Sequence, residues 1–276
     1  MEKGKDIRLR RAPPTGKKRG NPMKKALLLT IAMTVFAVVG SQAANTTAVL
    51  GGGVCINEIL ADPVGYLHTH DTDGNGVVVE EEEFVELYNS SDSPVDISGW
   101  ELWHTFYGLC FTFPGEVDSG TTMLPAGAVA VIVMEVDTAN GGTTPTPDPP
   151  GSLAFNAAHG SVVLANSGDS IIILDRGPYP YEYIQAYYNG RSDVVPAYPI
   201  GGTNTFRFFP TQSCVRVGPV TDFGWDVDGR SMARVPDGDD AIDNDLTDNT
   251  AFGLTATPGK VNTTSLPVEL DVFSVE

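Results

Sequence analysis

The chain has 276 residues, a formal net charge of −18, 30 glycines, 20 prolines and three cysteines. That length suits one elaborated domain with a sizeable core. The acidic balance excludes direct binding to nucleic-acid phosphates and to anionic membrane surfaces, and it favours cations.

In chain order, the first element is a leader. Residues 1–25 hold ten of the seventeen Lys and Arg residues. An apolar run, Ala26–Val39, follows, then the small residues Ser41-Gln42-Ala43-Ala44. Basic region, apolar run and small-residue site together predict a secretory signal over residues 1–43, cleaved after Ala43 or Ala44. Met23 opens a segment sufficient for this role, which leaves residues 1–22 as a basic extension or a misassigned start. The competing reading is a membrane anchor, but about 14 apolar residues fall short of the ~20 that span a bilayer. Cys55 lies too far from the apolar run to be a lipoprotein acceptor. The expected location is extracellular or cell-surface. Removing residues 1–43 leaves 33 acidic against 7 basic side chains, a net charge of −26.

Short strand-like runs then recur: Val54–Leu60, Phe84–Tyr88, Ile97–Trp103, Leu109–Phe113 and Ala128–Met134. Ser161–Leu164, Ser170–Asp175, Tyr181–Tyr188 and Ser231–Val235 follow. Turn residues such as Asp62-Pro63, Gly168-Asp169 and Gly177-Pro178 separate them. This spacing predicts an all-β, antiparallel sandwich. Trp100 and Trp103 are expected to pack in the space between two sheets. Residues 138–152, rich in Gly, Thr and Pro, are expected to form a solvated loop. Residues 189–228 are expected to form an irregular excursion. Two of Cys55, Cys110 and Cys214 can pair in an exported protein, and an odd count leaves one over.

The most specific local signal is DTDGNGVVVEEEEFVELYN, from Asp71. A calcium loop places oxygen ligands at positions 1, 3, 5 and 12, a backbone carbonyl at 7 and Gly at 6. Those positions are Asp71, Asp73, Asn75, Glu82, Val77 and Gly76. Glu80, Glu81 and Glu83 compete with Glu82 for the last place. The following residues alternate as a strand, so the loop sits on a β-domain without the flanking helices of a calcium sensor.

Several motifs resemble the lamin tail domain in its bacterial secreted form. They are INEIL (Ile56–Leu60) with Asp62-Pro63, EFVELYN (Glu83–Asn89), ISGWEL (Ile97–Leu102) and LPAG (Leu124–Gly127). LANSGDSIIILD (Leu164–Asp175), SMARVPDG (Ser231–Gly238) and TPGKVN (Thr257–Asn262) complete the series. Their order and spacing match over about residues 54–262. The resemblance implies an immunoglobulin-like β-sandwich that serves as an accessory module of secreted and cell-surface proteins. It also places the Asp71–Glu82 loop where bacterial members carry an Asp/Asn/Gly-rich insertion. No heptad rod accompanies it, so nuclear scaffolding does not carry over. The tail Leu266–Glu276, within 263–276, resembles a segment that introduces a further domain or sorting region.

Other chemistry has weaker support. His68-Thr69-His70-Asp71 offers two imidazoles and a carboxylate, the basis of an alternative reading as a metal-dependent extracellular hydrolase. Surface histidines beside an acidic loop explain the same residues. Nucleophile-elbow, zincin, phosphate-loop and C-x-x-C signatures are missing from the sequence. The expectation is a non-catalytic module with a structural Ca²⁺ and an extracellular protein or glycan as partner.

Overall fold

In this computed structural model the described residues are 47–65, 69–104, 107–191, 214–226, 228–238, 246–248 and 256–262. The expected signal and extension, His68, most of the acidic stretch after Asp237, and the tail from residue 263 lie outside them. Among the described residues no helix is long and apolar enough to cross a membrane.

The strands are β1 (Val54–Leu60), β2 (Phe84–Asn89), β3 (Val95–Asp96), β4 (Glu101–His104), β5 (Gly108–Thr112), β6 (Met123–Leu124) and β7 (Val129–Val133). They continue as β8 (Leu153–Asn156), β9 (Ser170–Asp175), β10 (Tyr181–Tyr187), β11 (Cys214–Arg216), β12 (Thr221–Asp222), β13 (Met232–Arg234) and β14 (Leu246–Asp248). One sheet has the order β14-β13-β1-β2-β7-β8, and the other β11-β10-β9-β4-β5, with β12 also on β10. The central pairs are antiparallel, as expected of an immunoglobulin-like sandwich. Parallel pairs occur where β8 joins β7 and where β11 and β12 join β10.

Both sheets are covered on two faces, which explains strands that do not alternate. In β7 all five residues are buried. Ala130 and Ile132 face the main core, while Val131 and Val133 join Leu60, Phe84 and Ala256 on the outer side. In β9, Ile171 and Ile173 enter the main core while Ile172 and Leu174 pack outside with Trp103 and Tyr183. Trp100 therefore lies between the sheets, as expected, but Trp103 does not. The period of two sends Leu102 inward and Trp103 outward, where its Nε1–H donates to Glu101 (2.9 Å).

Two expected strands differ for local reasons. Ile97–Trp103 becomes a strand only at Glu101, because Gly99 (φ 71°) turns the chain and Trp100 N–H donates to the Ile97 carbonyl. Ser161–Leu164 is not a strand: the amides of Val163 and Leu164 donate to the Glu83 carboxylate (2.7 and 2.9 Å) instead of to a neighbouring chain. Gly168-Asp169 consequently turns into β9 from a loop and not from a strand. Asp169 Oδ2 lies 2.5 Å from His104 Nε2 in a fully buried pair. All three cysteines are free, and burial pushes the Cys55 and Cys214 thiols up to about 11.

A buried polar seam fastens the C-terminal turn to β1 and β2. A bulge at Asn57 shifts the register, so Glu58 faces Glu86 directly. Burial raises both carboxyls, and the facing Glu58 charge raises Glu86 further. Donors from distant segments satisfy them. Thr257 gives its N–H (2.9 Å) and hydroxyl (2.8 Å) to Glu58, and Ser231 adds its hydroxyl. Gly259 N–H (2.7 Å) and Asn57 Nδ2 (3.0 Å) donate to Glu86. Asp237 accepts from Asn57 Nδ2 and from Asn262 N–H. The chain turns at Pro258-Gly259, with Gly259 at φ 76°.

Trp100→Ala removes the largest side chain between the sheets and is expected to cost about 3–5 kcal/mol in urea unfolding. Burial raises Asp237 to about 6 and Glu83 to about 8 from ordinary values of 3.8 and 4.5. The fold therefore holds these protons more tightly than the unfolded chain does. Their stabilisation is complete below about pH 4 and is lost as pH rises through 6 and 8. Without divalent cations, the thermal midpoint is expected to fall between pH 5 and pH 8.5; a rise across that window contradicts the assignment.

Candidate metal centre in the β1–β2 connection

The connection from β1 to β2 leaves the sheet at Ala61 and returns through a 3-10 turn, Glu80–Glu82. Its start is pinned by His70 N–H donating to the Pro63 carbonyl (3.0 Å). From Asp71 the chain folds around its own side chains. Asp71 Oδ1 accepts from Gly74 N–H and Oδ2 from Gly76 N–H, both at 2.7 Å. Both glycines adopt positive φ, 75° and 83°, which their lack of a side chain permits. Asp73 Oδ1 accepts from Asn75 N–H (3.1 Å), and Asn75 Oδ1 from Val77 N–H (2.6 Å).

The 3-10 turn sorts the four glutamates. Glu80 is exposed and Glu81 half-buried, while Glu82 and Glu83 are fully buried and serve different segments. Glu83 holds Val163 and Leu164. Glu82 turns back into the loop, where Oε2 accepts from Thr72 N–H (2.8 Å) and Oε1 from Val79 N–H (3.3 Å). The Thr72 hydroxyl donates to the Glu82 carbonyl (2.7 Å), closing the contact from the other side.

One carboxylate oxygen each from Asp71, Asp73 and Glu82 lies within 4.8 Å of the other two. Burial first, then the charges of Asp73 and Asp71, push Glu82 up to about 7, against the pull of the Thr72 amide. Among the described residues none of the three is paired with a cationic side chain. Asn75 belongs to the same turn, its Nδ2 3.4 Å from Asp73 Oδ2. Val77 contributes its amide to Asn75 and exposes its side chain. Hard oxygen donors in this density suit a hard divalent cation such as Ca²⁺.

Of the expected histidine cluster, His68 lies outside the described residues. His70 packs edge-on against Phe84 (6.4 Å), burial lowers its pKa, and its Nε2 has no hydrogen-bond partner. It is not one of the three converging ligands.

A contact from far along the chain was not anticipated. Asp137 N–H donates to Asp73 Oδ2 (2.8 Å), and Thr143 N–H to the Asp73 carbonyl (3.0 Å). Residues 138–152 are thus not simply solvated. One end is fixed to this site, and Asp148 N–H at the other donates to the Gly259 carbonyl (2.7 Å). No sequence period announces these contacts, because they run through backbone amides in a stretch of low complexity.

A search of curated proteins finds no match. The family model of the Lamin Tail Domain matches residues 48–185, from just before β1 to the middle of β10. The match spans the β1–β2 connection and the sandwich centre described above. The chain belongs to the lamin tail domain family.

Proposed function

We propose that this chain is an exported, non-catalytic β-sandwich module with a structural, binding or adhesive role. A Ca²⁺ ion held by Asp71, Asp73, Asn75, the Val77 carbonyl and Glu82 stiffens its first β-connection. The convergence of Asp71, Asp73 and Glu82, with Glu82 fully buried and no cationic side chain paired to any of them, carries this reading. A buried carboxylate cluster is costly unless a cation shares it. Outside cells calcium is plentiful, so a Kd of about 10⁻⁴–10⁻³ M suffices. The family is one of non-catalytic immunoglobulin-like modules, and the thiols, raised by burial, offer no activated nucleophile. The partner is an extracellular protein or glycan, because the acidic surface repels nucleic acid.

Binding to the folded state alone stabilises it by mass action. Millimolar calcium at that affinity gives about 0.4–1.4 kcal/mol, a rise of roughly 1–5 °C in the thermal midpoint relative to chelator. Asp73→Ala is expected to abolish the response to calcium, whatever its own effect on the midpoint. A wild-type midpoint that ignores calcium defeats the reading. Export is checked separately: the mass of the secreted protein should correspond to a chain beginning at Ala44 or Asn45.

A further inference from the structure

We propose that the segment Asp137–Thr143, between β7 and β8, is the second wall of the calcium site, and that ion binding and docking of this segment are coupled. The inference rests on the calcium reading above. Asp73 is oriented from two sides. Its Oδ1 is held within the loop by Asn75 N–H, and its Oδ2 by Asp137 N–H from 64 positions away. The Asp137 carboxylate accepts from Asn140 N–H (3.1 Å) and Asn140 Nδ2 (2.5 Å), capping the 3-10 turn Thr138–Asn140. Gly142 N–H then donates to the Asp137 carbonyl (2.9 Å), and Thr143 N–H reaches the Asp73 carbonyl. The segment is thereby a closed unit that grips Asp73 by side chain and backbone together.

Gly142 is where the grip is tightest. A Cβ there would stand 2.0 Å from Asp73 Oδ2, 2.5 Å from its Cγ and 2.9 Å from the Asp137 carbonyl oxygen. These are backbone and short-side-chain atoms with little room to retreat. The neighbouring Gly141 differs: it turns the chain at φ 89°, and a Cβ there meets nothing within 4 Å. Gly141 serves conformation, whereas Gly142 serves the close approach. An ion drawing on Asp73 thus stabilises the docked segment, and by linkage the docked segment raises ion affinity. Asp137 and Gly142 are positioning residues for the ion.

Amide hydrogen exchange of the wild-type protein, with calcium and then with chelator, tests the coupling. The amides of Asp137 and Thr143 should exchange at least several-fold more slowly with calcium, while that of Gly120, held by Asp96 in an exposed turn between β5 and β6 that opens without global unfolding, stays unchanged. In calorimetric titration with calcium, Gly142→Ala should raise Kd at least tenfold. Thr146→Ala, at an exposed position of the same connection, should leave it within about twofold. If the wild type binds calcium but neither the two amides nor Gly142→Ala responds, the coupling is refuted and the ion site stands. If the wild type binds no calcium, the ion site falls and the coupling with it. The exchange measurement needs no variant, so a misfolded Gly142→Ala does not shield the proposal.

Discussion

The structure depends on buried carboxylates that accept backbone N–H groups from other segments of the chain. Glu58, Glu82, Glu83 and Glu86 are all fully buried, and all lie on β1, on β2 or on the short approach to β2. Each fastens a different piece of chain: Thr257, Thr72, the Val163–Leu164 pair and Gly259. Loops without secondary structure of their own need such acceptors, because an unpaired buried amide costs about 1–3 kcal/mol. The cost falls on the acids, whose burial raises their pKa values.

Within this frame, the loop at Asp71 is continuous with the seam. Glu82 and Glu83 are adjacent, and they turn to opposite tasks. One closes the loop and the other holds the segment before β9. The connection after β7 links both ends of the arrangement, touching Asp73 near its beginning and Gly259 near its end. An ion at the three carboxylates would therefore act on the two connections flanking β2 and β7, well beyond one hairpin. A sandwich fold hosts many functions and decides none, so the role of this module does not follow from its fold.

Much of the architecture was legible in the sequence where a strand followed a simple rule. Val54–Leu60 and Ser170–Asp175 are strands with the expected bounds, and the alternating EFVELY run continues one residue further as β2. The sequence missed β8, whose LAFN follows a Pro/Gly-rich stretch and joins β7 in parallel. It also misread Ser161–Leu164, because an apolar run says nothing about which acceptor takes its amides. At the site, the spacing pointed to Asp71, Asp73 and Glu82, and the fold brings these three together. Of the four consecutive glutamates, the 3-10 turn aims Glu82 into the loop, a geometric feature without a residue signature. Gly142 was invisible because its purpose is the absence of a side chain beside an aspartate far away in sequence.

The most direct test of the account is a crystal structure of the protein grown in calcium. The account predicts one ion 2.3–2.6 Å from oxygens of Asp71, Asp73 and Glu82, with the Asn75 and Val77 oxygens completing its shell. Well-ordered density for the loop without an ion between those carboxylates, at millimolar calcium, would contradict it.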